Sequence, residues 1–219
     1  MIPDVLQKRS DILAVIRDRV SEINSKYRKG PSLYFYRRTL ALRANARTIT
    51  DFMSQDMNIE ILYATLVAWD MNSRGARMKY FDDFKHAILL CEPYLRGFED
   101  RAIISTPFGK IRNALTNLYN TLDLMESGGR LVAISKCLHF MFPQLIMPMD
   151  RTNTLNYLYN NTNEIPAKFI EAISFSFDVA EEVESLEIDW RANVDDKWNT
   201  GLPKMVDNAI ILLRDVSTS

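Results

Sequence analysis

The chain has few of the residues that interrupt helices or build covalent and metal-linked frameworks. Its 219 residues include only 7 glycines, 8 prolines, 2 cysteines and 2 histidines. Cys91 and Cys137 are too few for a secreted disulfide framework, and with only two histidines beside them a structural zinc site is not expected. A chain of this length buries enough apolar surface to be stable without such links. We therefore expect a protein that holds no metal.

Long apolar runs and phosphate-binding glycine motifs are missing as well. No stretch reaches the about 18 apolar residues of a membrane span, and residues 1–20 are amphipathic, unlike a signal peptide. The sequence contains no P-loop, no Rossmann glycine pattern and no G-x-S-x-G nucleophile elbow. These absences predict a cytoplasmic protein with no cofactor and no membrane partner.

What the sequence does contain is helical spacing. Apolar residues recur three and four positions apart along most of the chain, and no stretch alternates at period two. We expect one all-α domain over 1–219, a compact orthogonal bundle of about eight to ten helices, with sub-lobes 1–100 and 101–219 as an alternative subdivision. The pattern predicts helices over residues 3–27, 33–46, 59–69, 80–95, 107–124, 131–142, 151–159, 165–184 and 202–216.

The net charge of −1 hides a separation of charge along the chain. Residues 178–196 are strongly acidic, whereas residues 23–50 contain no acidic residue. The second window carries cations interleaved with aromatic residues, namely Lys26, Tyr27, Arg28, Lys29, Tyr34, Phe35, Tyr36, Arg37, Arg38, Arg43 and Arg47.

This basic and aromatic window has two interpretations. Arginine can clamp a phosphate with two donors, and an exposed tyrosine can stack on an unpaired base. The window therefore predicts a nucleic-acid-binding face that includes Arg37, Arg38 and Arg43, extended by Arg74 in a nearby turn. The alternative is that the basic and acidic segments pair with each other within the fold.

The densest motif spans residues 127–153 and reads SGGRLVAISKCLHFMFPQLIMPMDRTN. A glycine turn at the start of a helix exposes backbone N–H groups that can bind an anion such as a DNA phosphate. Pro148 and Met149 then lead to Asp150 at the start of the next helix. Asp150 is at minimum a helix cap, and the alternative is a carboxylate held at a cleft.

This motif resembles the helix-hairpin-helix DNA glycosylases. In that family a glycine-rich hairpin grips the DNA backbone, and a proline-rich bridge leads to an aspartate that opens a helix. The resemblance implies that Asp150 is catalytic and that the enzyme is monofunctional and uses water, because the lysine of the lyase members would fall near Leu131. It implies DNA contacts through Gly128, Gly129, Arg130 and Arg151.

A second resemblance covers most of the chain. The segments IEILYATLVAWDMNSRGARMKYFDDFK, ISKCLHFMFPQLIMPMDRTNTLNYLY and WNTGLPKMVDNAIILL together resemble an uncharacterised prokaryotic family, which brings no activity with it. The positions that match its shared pattern are Lys136, His139, Asp150, Arg151, Lys204, Asp207 and Asn208.

Two polar clusters stand out among these positions. Lys136 and His139 lie in an apolar helix and require partners, because an unpaired buried charge is costly. A histidine near a carboxylate can act as a general base, so Lys136, His139 and Asp150 are the candidate catalytic residues. The supporting polar cluster occupies one turn of the last helix and consists of Lys204, Asp207 and Asn208. The alternative for Lys136 and His139 is a buried structural network, and the alternative for the cluster on the last helix is a solvated face.

Three functions stay open at this point. The first is a DNA-binding protein of glycosylase type that hydrolyses the N-glycosidic bond of a flipped base. The second is a non-catalytic all-α module that binds nucleic acid or protein, with a purely structural polar cluster. The third is a small-molecule enzyme that uses Lys136 and His139.

Overall fold

Each segment of helical spacing forms helix in the computed structural model. The structure describes residues 1–27, 30–72 and 75–216, and it describes residues 215 and 216 by their backbone alone. Within these ranges the chain folds into a compact bundle of twelve α-helices with no β-strand. The prediction of an all-α fold is confirmed. None of the helices in these ranges is long and apolar enough to cross a membrane.

The helices are joined by short turns. Turns of 3₁₀ type lie at Val20–Glu22, Arg96–Phe98, Phe108–Lys110 and Trp190–Asn193, and π-type turns lie at Val67–Met71 and Arg151–Leu155. The α-helices are α1 (Val5–Asp18), α2 (Ile23–Lys26), α3 (Pro31–Asn45), α4 (Ile49–Met53), α5 (Asp56–Leu66), α6 (Phe81–Leu90), α7 (Glu92–Leu95), α8 (Arg112–Thr121), α9 (Leu131–Met141), α10 (Asn156–Tyr159), α11 (Pro166–Ser185) and α12 (Leu202–Val216).

Some segments predicted as single helices are divided. The helix predicted over 80–95 is interrupted at Cys91, and α7 begins at Glu92 with Pro93 in its first turn. Proline has no backbone N–H to continue a helix but is well suited to a first turn. The helix predicted over 3–27 is divided in the same way, because α1 ends at Asp18 and a 3₁₀ turn precedes α2.

Helix α9 lies at the centre of the fold. It contacts α3, α5 and α11, and every one of its residues is buried. A helix buried on all sides is apolar on all sides unless its polar groups find partners. The three polar side chains of α9 are therefore the informative ones, and they belong to Ser135, Lys136 and His139.

Two of these side chains hold the chain that returns after α9. Ser135 Oγ accepts a hydrogen bond from the backbone N–H of Met149 at 3.0 Å, and His139 Nδ1 donates to the Ile146 carbonyl at 2.7 Å. Because Ser135 and His139 are four residues apart, they share one face of α9 and hold the returning chain at two points. The returning chain therefore ends with Asp150 at a fixed position beside α9.

Helix α12 packs on the other side of Asp150. It contacts α1 and α11, and it also contacts the turn Arg151–Leu155 that follows Asp150. Helices α3 and α5 pack against each other and against α9. Asp150 thus lies where the central helix and the C-terminal helix approach each other.

The connection between α8 and α9 is longer than a tight hairpin. It comprises residues 122–130, and it pairs with the chain before α6 through Lys79 N–H to the Leu124 carbonyl (3.0 Å) and Glu126 N–H to the Arg77 carbonyl (2.9 Å). A connection of this length is not the tight hairpin that joins the two helices of a helix-hairpin-helix element. That element therefore stays a prediction.

We expect Ser135→Ala to lower the free energy of unfolding by about 1–3 kcal/mol, because it leaves the buried Met149 N–H without a partner. Urea unfolding followed by circular dichroism measures this change. Ser185→Ala is the matched control, since Ser185 donates to the carbonyl three residues before it, as Ser135 does, but is exposed. The control is expected to stay within about 0.5 kcal/mol of the parent chain. Equal effects in the two variants would show that the Met149 contact is not needed.

Candidate functional site

A cleft of about 190 Å³ opens at the junction of α9, α12, the turn after α5 and the turn after Asp150. Its wall combines charged and aromatic side chains that are far apart in the sequence. The charged residues are Asp70, Lys136, Asp150, Lys204 and Asp207, and the aromatic residues are Tyr27, Trp69 and Trp198.

The two carboxylate oxygens of Asp150 have different environments. Oδ1 accepts hydrogen bonds from the backbone N–H groups of Thr152 (2.8 Å) and Asn153 (3.0 Å), so Asp150 caps the turn that follows. Oδ2 lies 3.9 Å from Lys136 Nζ, and the side chain is 38% exposed. Capping and a position at the cleft are therefore combined in one carboxylate, where the sequence left them as alternatives.

Lys136 brings a desolvated amine to the cleft. Its Nζ donates to the Trp69 carbonyl at 2.8 Å and lies above the Trp69 ring, 5.9 Å from the ring centre. Burial lowers the pKa of the Lys136 ammonium, and the nearby carboxylates of Asp150 and Asp207 oppose that effect. An amine with a lowered pKa beside a carboxylate is an arrangement typical of functional sites.

The Trp69 carbonyl reaches Lys136 because the end of α5 is distorted. Residues 67–71 form a π-type turn in which Trp69 (φ −98°, ψ 30°) and Asp70 (φ 63°, ψ 21°) leave helical geometry. Asp70 is in the left-handed region, which a residue with a side chain enters at some cost. Single π turns within helices are frequent at functional sites, and the residues after Asp150 form a second one at the same cleft.

The supporting cluster predicted on the last helix is buried. Lys204 Nζ donates to Asp207 Oδ2 at 2.7 Å and to Asn208 Oδ1 at 2.5 Å. Asn208 Nδ2 donates in turn to the Trp198 carbonyl at 2.9 Å and to Asn199 Oδ1 at 2.8 Å. Burial raises the pKa of Asp207 in spite of the Lys204 ammonium beside it. The cluster is therefore a desolvated network and not a solvated face.

One polar group of the cleft wall has no hydrogen-bond partner among the described residues. The Trp198 side chain is 5% exposed, and its indole N–H makes no hydrogen bond to any described residue. Trp198 packs against Tyr27 with ring centres 5.3 Å apart and against Trp69 at 6.1 Å. The three rings therefore form one continuous aromatic wall of the cleft.

His139 lies behind the cleft wall and not in it. With Nδ1 donating to the Ile146 carbonyl, Nε2 accepts a hydrogen bond from the Tyr36 hydroxyl at 2.9 Å. The Tyr36 oxygen lies 2.5 Å from Thr200 Oγ1. Burial lowers the pKa of His139 to about 3, so the ring is neutral. The predicted carboxylate neighbour is not found, because both ring nitrogens are used by Tyr36 and Ile146.

The glycine turn before α9 is occupied by a carboxylate of the chain itself. Glu164 accepts a hydrogen bond from the Val132 N–H at 3.3 Å and pairs with Arg151. A side chain on Gly129 would lie 2.5 Å from the Arg151 guanidinium. Glu164 therefore takes the place that the sequence assigned to a DNA phosphate, and Arg151 is used to hold it there.

Two more of the predicted DNA-binding arginines are used within the fold. Arg43 donates to the Met141 carbonyl at 2.9 Å and is 16% exposed, and Arg130 donates to the Leu122 carbonyl at 3.1 Å. A side chain that ties helix ends together in this way has fewer donors left for a phosphate.

The remaining positions of the predicted DNA-binding face are exposed or not described. Arg37 lies 3.2 Å from Asp196, which is a contact of the kind expected if the basic and acidic segments pair. Arg38 and Gly128 are exposed. Arg74 lies outside the described residues.

Sequence reasoning did not identify the aromatic residues and Asp70 as parts of the cleft. Tyr27 was placed in the basic and aromatic window, whereas the two tryptophans were indistinguishable from core aromatics, since contacts such as Lys136 to Trp69 join residues 67 positions apart. Across the described ranges, no group of three or more His, Cys, Asp or Glu residues could hold a metal ion. Comparisons with family models, with curated proteins and with solved structures find no match to this chain.

We expect His139 to make the protein less stable as the pH falls from about 6.5 towards 3. The unfolded chain binds a proton at His139 below about pH 6.5, whereas the folded chain, with its lowered pKa, does not. The free energy of unfolding attributable to His139 should fall by about 1.4 kcal/mol per pH unit in this range and be constant above it.

Urea unfolding between about pH 7.5 and 5 tests this expectation. His139→Asn keeps an N–H donor towards Ile146 but does not titrate, so its stability should fall less steeply with decreasing pH. His86→Asn is the control, because the His86 side chain is exposed on α6. Parallel pH profiles for the parent chain and His139→Asn would contradict the assignment of a neutral buried ring.

Proposed function

We propose that this protein is a glycosylase-type enzyme that binds a nucleobase of DNA in the cleft and hydrolyses its N-glycosidic bond. The observation that carries the proposal is the divided role of Asp150. One oxygen is fixed by backbone N–H groups, and the other is beside the Lys136 amine at a partly exposed position in the cleft. A carboxylate held in this way is oriented for chemistry without the need to reorganise.

The lining of the cleft is suited to a flat ring. Tyr27, Trp69 and Trp198 provide aromatic surface on which such a ring can stack. The volume of about 190 Å³ is below the ~300 Å³ of the smaller drug-sized pockets, so it fits one ring system better than a whole nucleotide. Extrusion of a base from the helix stack would deliver such a ring.

The proposed reaction uses Oδ2 of Asp150, the carboxylate oxygen that does not cap the following turn. As the bond between the sugar C1′ and the base nitrogen breaks, positive charge develops on the sugar, and the carboxylate stabilises it. A water oxygen forms the new bond to C1′. Asp150 Oδ2 takes one proton from that water and passes it to the departing base nitrogen, so the net change is addition of water across the bond.

Lys136 acts in this proposal as a positioning residue. Its bond to the Trp69 carbonyl fixes the ammonium, and the ammonium in turn favours one orientation of Asp150 Oδ2. Lys204 and Asp207 form a buried ion pair beside them. His139 has no contact with the cleft and supports the chain that carries Asp150.

We expect Asp150→Asn to reduce base release by a factor of about 100 or more, the lower range for loss of a positioned acid–base group. Asparagine is also a good helix cap, so the variant should fold. The measurement is release of free base from single-stranded and duplex oligonucleotides that carry deaminated, alkylated or oxidised bases, followed by mass spectrometry.

Asp189→Asn is the matched control, because Asp189 also caps a turn, through the Ala192 N–H at 3.3 Å, but does not line the cleft. Its activity should equal that of the parent chain. No base release from any of these substrates would favour the non-catalytic module. A covalent enzyme–DNA adduct trapped by borohydride would show attack by the Lys136 amine in place of water.

A further inference from the structure

A shallow groove of about 650 Å³ lies between the exposed face of α3 and the loop that precedes α12. Tyr34, Arg37 and Arg38 line it from α3, and Asp196 and Lys197 line it from the loop. Arg37 and Arg38 are three and four residues after Tyr34, so all three side chains leave the helix on the same side. Three cations and one carboxylate give the groove an excess of positive charge.

Two of these side chains are available to a partner. The Tyr34 residue is 66% exposed, which is unusual for an aromatic residue in a helix that is packed on its other face. Arg38 is exposed and forms no ion pair with a described residue. An accessible aromatic ring beside cations is the combination that binds single-stranded nucleic acid, through base stacking and phosphate contacts.

The groove and the cleft are next to each other, because two segments of the chain line both of them. Ser32 lines the cleft and its neighbour Leu33 lines the groove, while Trp198 lines the cleft and its neighbour Lys197 lines the groove. Consecutive Cα atoms are about 3.8 Å apart, so the two sites adjoin along each of these segments.

From this continuity we infer that the groove binds an unpaired strand of DNA next to the base in the cleft. Tyr34 stacks on a neighbouring base, and Arg38 and Lys197 contact phosphates. Arg37 is held by Asp196 and is released to a phosphate when the strand binds. The inference rests on the proposed function for the idea that the bound strand is a substrate, whereas strand binding itself is independent of catalysis.

Fluorescence anisotropy with a labelled oligothymidylate tests the inference. We expect affinity to fall with increasing salt, and Arg38→Ala to reduce the salt slope by about 0.7, the value for one phosphate contact of a single strand. Tyr34→Ala should weaken binding at least about fivefold through loss of stacking. Asp196→Asn should strengthen binding, because it removes the carboxylate that competes with phosphate for Arg37.

The control is Arg112→Ala, which removes an exposed arginine that lines neither the groove nor the cleft and should leave binding unchanged. Strand binding is measured without base release, so failure of base release and failure of strand binding by the parent chain are distinguished. Any of three results would overturn the inference. They are equal effects of Arg38→Ala and Arg112→Ala, weaker strand binding by Asp196→Asn, and a preference of the protein for duplex over single-stranded DNA.

Discussion

The attachment of the returning chain to α9 is the interaction on which the site depends. A buried helix rarely includes a serine and a histidine, and here each is satisfied by a backbone group of the chain that runs back along it. These two bonds convert a flexible connection into a fixed one. Without them, nothing in the local sequence would set the distance between Asp150 and the Lys136 amine, because both groups would be free to turn to solvent.

The same cleft brings charges of both signs together. Two ammonium groups and three carboxylates line it in surroundings that contain much aromatic surface, and they belong to Lys136, Lys204, Asp70, Asp150 and Asp207. Buried ion pairs of this kind contribute little net stability, since desolvation of each ion costs about as much as the attraction returns. Their retention is easier to understand if the arrangement serves binding or chemistry. Of the two carboxylates paired with these lysines, Asp207 is buried, whereas the Asp150 side chain is 38% exposed.

Much of the fold, but only part of the site, could be predicted from the sequence. Helical spacing is a local signal and gave the all-α class, and a proline before Asp150 indicated the cap. The Trp69 and Trp198 walls depend on long-range packing, which leaves no local pattern. The glycine turn shows the converse problem, because its pattern predicts an anion at the start of α9 without identifying the anion. The carboxylate that lies there is Glu164, 35 residues beyond Gly129, which no local pattern reveals.

The position of the tryptophans gives the molecule an optical property. Of the three tryptophans in the chain, two form the wall of the cleft, and both lie close to a lysine ammonium. Indole emission responds to nearby charge and to stacked rings, so two of the three tryptophans report on the surroundings of the cleft. Trp190, which lies under the Arg191 guanidinium, supplies a constant background. The chain therefore carries its own reporter of whether the cleft is filled.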